Sequence, residues 1–457
     1  MSAKSYSLML LLCTALSALK AQTKLPENIF RKKLANGLTV MVIEDNSVPL
    51  ATVSIAFKNG SFTQTAGLQG VTGLYHSMLM KSNAVYGSGN QPAFYSARMG
   101  IKRDFFVSEE VAESFATMPS LNVDLGMRFM NATIRSPKFD ENSLDDIKKQ
   151  VDADLQTKEN NPAFWLGQEM NKHLWGDFFM RKSAVGTHQS IQSATLAQMD
   201  TIQKKYYYPN NALLIIAGNV SHEQMFAKAQ EIFGDWEPSG FDPFKKWPIP
   251  EVKPINKTQY FTVENINAKV PYIMIEWQGP SSVSDKASTY AADVFSYILT
   301  QNSSKLKKAL VQSGLALDLT FSYLTLNHVG PITFLIRPNP AKLQECLAEV
   351  KRQINLFDTR DYVTAEQIET AQRKLEIGLT RREEISSDFS HTLAFWWSSA
   401  SIDYYFTYLD NLQKVKATDL QSYVRKYIKN KPYCAGLLIS PELRGQLKTN
   451  EFFKADN

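Results

Sequence analysis

Two periods of hydrophobic residues alternate along this chain. Short runs rich in β-branched residues, Thr39 to Glu44, Ala51 to Lys58 and Leu213 to Ala217, read as strands. Stretches with apolar residues three and four apart read as helices: Gly70 to Lys81, with Leu74, Met78 and Leu79 on one face, then Asn142 to Thr157 and Ala163 to Leu174. Leu34-Ala35-Asn36-Gly37-Leu38 marks a tight hairpin turn, because Asn-Gly readily adopts positive φ. The strands Thr39 to Glu44 and Ala51 to Lys58 that follow it are expected to be adjacent.

The pattern occurs twice. Thr195 to Ala217 and Lys416 to Ser440 share a helix with a basic residue before tyrosine (Lys205-Tyr206, Lys426-Tyr427), a proline turn (Pro209, Pro432) and a β run, at an offset of 221. Val48-Pro49 before one strand matches Val270-Pro271 before the strand Tyr272 to Trp277. Strands interleaved with long helices in each copy predict α+β layers. Residues 238–257 hold Pro238, Pro243, Pro248, Pro250 and Pro254 and read as a semi-rigid linker. The expected parts are a leader over 1–21, a first domain over 22–237, this linker, and a second domain over 258–457.

Composition narrows the class. At 44% hydrophobic and 21% charged residues, the chain suits a globular protein with a large core. The net charge is +5, or +3 without Lys4 and Lys20, too small to imply a nucleic-acid partner. Lys4 followed by the apolar run Ser7 to Leu19 reads as a secretory signal cleaved after Ala21. No later run is long enough to span a bilayer, so export to a bacterial periplasm without a membrane span is expected. Cys346 and Cys434 are expected as buried free thiols.

Together the Leu34 to Leu38 hairpin, the Gly70-started helix, Asn131 to Asp140, Gly186-Thr187, the Tyr208 to Asn211 turn, Ile232 to Trp236, and Ser304 to Ala316 resemble the pitrilysin/insulinase family of zinc metallopeptidases, which includes mitochondrial processing peptidase. The resemblance spans nearly the whole mature chain. It implies two duplicated domains, each a mostly antiparallel sheet packed with long helices, forming half of a clam-shell. Active members carry H-x-x-E-H on the first long helix: two histidines one turn apart bind zinc, and the glutamate activates water. Matched on Gly70 and Met78-Leu79, this chain has Gly73 at the first histidine, His76 at the base and Ser77 at the second histidine. The third ligand, a later glutamate, falls on Ile147 or Lys148. The zinc of active members therefore has no ligand set here, and no cofactor is expected. His222-Glu223 is read as structural, with Ser221 as a helix cap.

In related short chains the partner subunit's second half supplies an arginine and a tyrosine to hold substrate. Those positions are Val311 and Leu317 here, with Tyr323 and Arg337 nearby. Family substrates add as a strand to a sheet edge, and the corresponding segment is Gly100 to Val107, with Arg103, Asp104 and Phe105 as candidate contacts. The Trp396-Trp397 pair reads as helix packing. The expected function is a non-catalytic homologue that encloses or binds peptides beside an H-x-x-E-H-bearing sister subunit, or as a homodimer. The alternatives are a structural or peptide-binding periplasmic protein with no peptidase partner and, less favoured, an active zinc metalloendopeptidase.

Overall fold

The structure, a computed structural model, describes residues 25–176, 178 and 185–446. The expected leader lies outside them. Two sheets organise the chain. The first contains β1 (Ile29–Lys33), β2 (Thr39–Glu44), β3 (Leu50–Phe57), β4 (Lys102–Val107), β5 (Ala112–Pro119) and β6 (Ala212–Gly218) in the order β1-β2-β6-β3-β5-β4. The second contains β7 (Gln259–Glu264), β8 (Tyr272–Gln278), β9 (Ala316–Tyr323), β10 (Pro331–Pro338) and β11 (Cys434–Ile439) in the order β7-β11-β8-β10-β9. Without β1 the two orders coincide. Each sheet is antiparallel except for one parallel pair, β2 with β6 and β7 with β11. The duplication expected from the sequence is thus one topology used twice, and the fold is α+β as expected.

One expectation fails. β2 and β3 are not neighbours, because β6 runs between them, parallel to β2 and antiparallel to β3. All seven residues of β6 are buried. A strand apolar on both faces needs a partner on each side and helices above and below, so it takes the sheet centre.

The longer helices are α1 (Val71–Leu79), α2 (Val123–Arg135), α3 (Glu141–Glu159), α4 (Pro162–Trp175), α5 (Leu196–Tyr206), α6 (His222–Phe233), α7 (Lys286–Leu299), α8 (Leu343–Leu356), α9 (Ala365–Glu383), α10 (Ser386–Ser399) and α11 (Ala417–Tyr427). α1 stops two residues short of the expected end, where the Lys81 N–H closes on the Met78 carbonyl at 2.9 Å in a tighter turn. It starts at Gly70, whose φ of 79° needs glycine. The hairpin glycine, Gly37, has φ 89°.

The two copies exchange helices. α4 precedes the linker but packs on β11, β8 and β7 of the second sheet. α10 lies in the second copy but packs on β6, β3 and β5 of the first. Buried Met170, Leu174, Trp175 and Cys434 form one of the resulting seams. Polar contacts reinforce the other. Glu110 is buried and accepts from the backbone N–H groups of Asn327 (2.8 Å) and His328 (3.1 Å) and from His328 Nδ1 (2.9 Å). Buried Glu113 accepts from His391 Nδ1 on α10 at 2.9 Å and from Ser54. Cys346 and Cys434 are buried free thiols. No described helix is long and apolar enough to cross a membrane.

Candidate functional site

α1 lies against β4 and β5, with α3 and α5 beside it. This places the degenerate metal helix next to the expected edge strand. His76 is fully buried at 0% exposure, and burial pushes its imidazole down to about 3, so it is neutral. A neutral ring donates from one nitrogen and accepts at the other. The direction follows from its neighbours. Asn59 Nδ2 donates to the Tyr207 hydroxyl at 3.2 Å, which leaves the Tyr207 proton for His76 Nε2. His76 Nδ1–H then donates to Ser114 Oγ at 3.1 Å. At the other end Asn59 Oδ1 accepts from the Gly60 N–H at 2.9 Å and from Thr63 Oγ1 at 2.5 Å. Both ring nitrogens of His76 are therefore committed inside the core.

The residues at the other metal positions do not fit a zinc ion. Gly73 has no side chain, and Ser77 Oγ donates to the Gly73 carbonyl at 3.1 Å. Ile147 is 2% exposed and belongs to the apolar core of the first half. Lys148 is a cation that pairs with Asp145 at 3.7 Å. A catalytic zinc takes three protein ligands from His, Cys or carboxylate groups, and these positions supply none.

Another group of possible ligands lies at the end of β2, where Glu44, His222 and Glu223 approach one another. Hydrogen bonds hold it together. Glu44 accepts from the His222 backbone N–H at 2.6 Å and from His222 Nδ1 at 2.8 Å, and the ring stacks on Phe30 at 3.5 Å. Glu44 thus caps α6, the role expected of Ser221. The Ser221 hydroxyl instead donates to Glu223 at 2.6 Å.

β4 is the last strand of the first sheet. The Ser108 N–H donates to Val111 O at 2.9 Å across the β4–β5 turn. Alternation then turns the N–H groups of Arg103, Phe105 and Val107 to the open edge. The Phe105 N–H is taken by the carboxylate of Asp104 at 2.8 Å. Arg103 donates to Met80 O at 2.7 Å, at the end of α1, and its guanidinium lies 5.5 Å over the Phe129 ring. The Phe105 ring lies 5.9 Å from His76. The three edge residues chosen from the sequence and the degenerate helix are thus one locality.

The partner-side positions are not a binding pair. Val311 packs against the core of the second half, and Leu317 is 48% exposed on β9. The Tyr323 hydroxyl donates to Pro280 O at 3.0 Å, and Arg337 pairs with Asp318 at 2.9 Å. Sequence reasoning missed Asn59, Ser114 and Tyr207, the partners of His76. They stand in mixed polar stretches (Lys58-Asn59-Gly60-Ser61, Glu113-Ser114, Lys205-Tyr206-Tyr207-Tyr208), and nothing local sets them apart. Of the tryptophan pair, Trp396 is core and Trp397 packs against that core, as expected, and Trp397 also lines a cavity.

Comparisons with known proteins agree with the fold. Residues 39–186 match the family model of insulinase (peptidase family M16), and residues 193–375 match that of the peptidase M16 inactive domain. A protein named non-peptidase homolog YmxG, from Helicobacter pylori, is 20% identical over 401 residues, covering 85% of this chain and 88% of that protein. An uncharacterized zinc protease of Mycobacterium leprae is 23% identical over 209 residues, 45% of this chain and 46% of that protein, so this match spans about half the relative's length. A solved protease from Helicobacter pylori superposes with TM-score 0.80 at 18% identity, covering 91% of this chain and 100% of that one. The periplasmic protease PqqL of Escherichia coli superposes with TM-score 0.72 at 13% identity, covering 93% of this chain but 49% of that protein.

Proposed function

The chain belongs to the insulinase family, peptidase family M16, and we propose that within it this is a non-catalytic, exported member that binds or encloses peptides. The observation that carries this reading is the state of α1. The residue at the position of the family's general base, His76, is locked into a buried hydrogen-bond chain, and Gly73, Ser77, Ile147 and Lys148 offer no zinc ligand. The open edge of β4 supplies backbone groups for an extended peptide, and strand addition needs no catalytic side chain. An H-x-x-E-H-bearing sister subunit would complete the chamber. The 49% coverage of the longer PqqL chain supports a two-piece arrangement.

The test uses the chain without residues 1–21. Zinc content is measured by mass spectrometry after dialysis, and hydrolysis by a fluorogenic peptide library with and without chelator. Substoichiometric zinc with no chelator-sensitive turnover is expected. Stoichiometric zinc with turnover abolished by chelator overturns the proposal. A pull-down from the native host then addresses the partner. Recovery of an H-x-x-E-H chain supports pairing, and its absence favours a peptide-binding or structural role without a peptidase.

A further inference from the structure

Where the end of the first sheet meets the linker lies a cavity of about 610 Å³. Three separate parts of the chain form its walls. Lys33 and Lys58 come from the ends of β1 and β3, Phe241 and Asp242 from the linker, and Trp397 from α10. Its volume falls within the range of small-molecule sites.

Lys58 is the unusual group. Its side chain is half-buried, and its Nζ sits 5.0 Å over the Trp397 ring. It has no ion-pair or hydrogen-bond partner among the described residues. Glu110 and Asp242 are the acids that act on it, and burial outweighs them, holding the amine below its ordinary range. Both acids are committed elsewhere. Glu110 takes three N–H groups from Asn327 and His328. Asp242 accepts from the Phe244 and Lys245 N–H groups at 2.8 and 3.3 Å. The amides of Asn210 and Asn211 are likewise bonded to their own surroundings, to Ser239 and Phe241 and to Tyr206 and Lys58 O. Among the described residues, the two lysine ammonium groups are thus the charged lining groups that lack an ion-pair or hydrogen-bond partner. A half-dry ammonium over an aromatic face favours an anion with a flat apolar body: the anion supplies the missing charge, and the body covers Trp397 and Phe241. A dianion such as phosphate would also face the Asp242 carboxylate, which favours a single negative charge.

We propose that this cavity binds an organic monocarboxylate joined to a flat apolar group, with Lys58 holding the carboxylate and Trp397 the body. The same chemistry occurs in a free aryl acid and in a peptide ending in an aromatic residue. The site is separate from α1 and the β4 edge, so it stands or falls apart from the peptide-enclosing role.

The test is calorimetric titration of the chain with three probes: 3-phenylpropionate, its neutral amide, and acetyl-Ala-Ala-Phe with a free carboxylate. Saturable binding of an acid, about tenfold or more tighter than the amide, is expected, because a charge-assisted hydrogen bond is lost in the amide. Lys58→Met lowers acid affinity by a similar factor, Lys58→Arg retains most of it, and circular dichroism melting verifies each fold. If Lys58→Met does not fold, Trp397→Leu and the acid–amide comparison decide. The tighter of the two acids identifies the source, and either supports the site. Equal binding of acid and amide, full affinity in a folded Lys58→Met chain, or no saturation by about 10 mM overturns the proposal.

Discussion

Removing one oxygen atom tests why His76 is present. In Tyr207→Phe the ring remains, packed on Phe57 at 4.3 Å and on Tyr75 at 4.5 Å, so apolar contact is nearly unchanged. What disappears is the hydroxyl that accepts from Asn59 and donates to His76 Nε2. Both groups lie at 0% exposure, so water cannot replace it without opening the core. A buried polar atom left without its partner costs about 1–3 kcal/mol. Two such atoms, one donor and one acceptor, give a loss of about 3 kcal/mol, allowing for some relaxation. The assay is urea denaturation followed by tryptophan fluorescence, compared at equal slope. His76→Leu is measured alone and with Tyr207→Phe. Once the imidazole is gone, the second substitution orphans Asn59 alone, so the double variant should cost less than the two singles added, by about 1 kcal/mol. A Tyr207→Phe chain within about 0.5 kcal/mol of the parent, or strict additivity, refutes the buried chain. His76 would then be free for another role.

Further tests address other parts of the fold. Burial works against a charged His391, but the bond to Glu113, with the charges of Asp388 and Asp104, raises its titration above the ordinary histidine range. A group raised in the folded state stabilises fully below its unfolded value, about 6.5, and that contribution fades as pH rises through the folded value. The urea midpoint should therefore fall as pH rises from about 6.5 through the raised folded value, and His391→Gln should flatten the fall; an unchanged slope in the variant contradicts the cross-copy pair. Gly70→Ala forces a Cβ to 2.4 Å from Val185 O at positive φ, so it should lose about 2 kcal/mol or more, and a neutral result by thermal melting would contradict the tight entry to α1. Asp104→Ala frees the Phe105 N–H at the open edge; an extended peptide that adds to β4 should bind about fivefold tighter by fluorescence anisotropy, and equal binding would show that this edge is not the docking strand.

The candidate site was legible from the sequence only as a loss. The resemblance, matched on Gly70 and Met78-Leu79, put Gly73 and Ser77 at the ligand positions and His76 at that of the base, and the edge residues Arg103, Asp104 and Phe105 lie beside them. The residues that bind His76 could not be found this way. Ser114 and Tyr207 stand 38 and 131 positions from it, and nothing in a one-dimensional pattern pairs them. Val311 and Leu317 were equally readable as departures, but only packing showed that Tyr323 and Arg337 are occupied by other partners.

The sequence by itself determined the local elements and their repetition, because helix and strand periods, the Asn36-Gly37 turn and the start at Gly70 are short-range consequences of side-chain type. Strand order was decided by tertiary structure. β6 enters between β2 and β3 because a strand apolar on every side is stable only where both edges and both faces are covered. The exchange of α4 and α10 between the copies has the same origin. Each sheet has a second apolar face to cover, and the covering helix comes from the other copy. That exchange brings Glu113 to His391 and Lys58 to Trp397, contacts between residues hundreds of positions apart that only the packed chain creates.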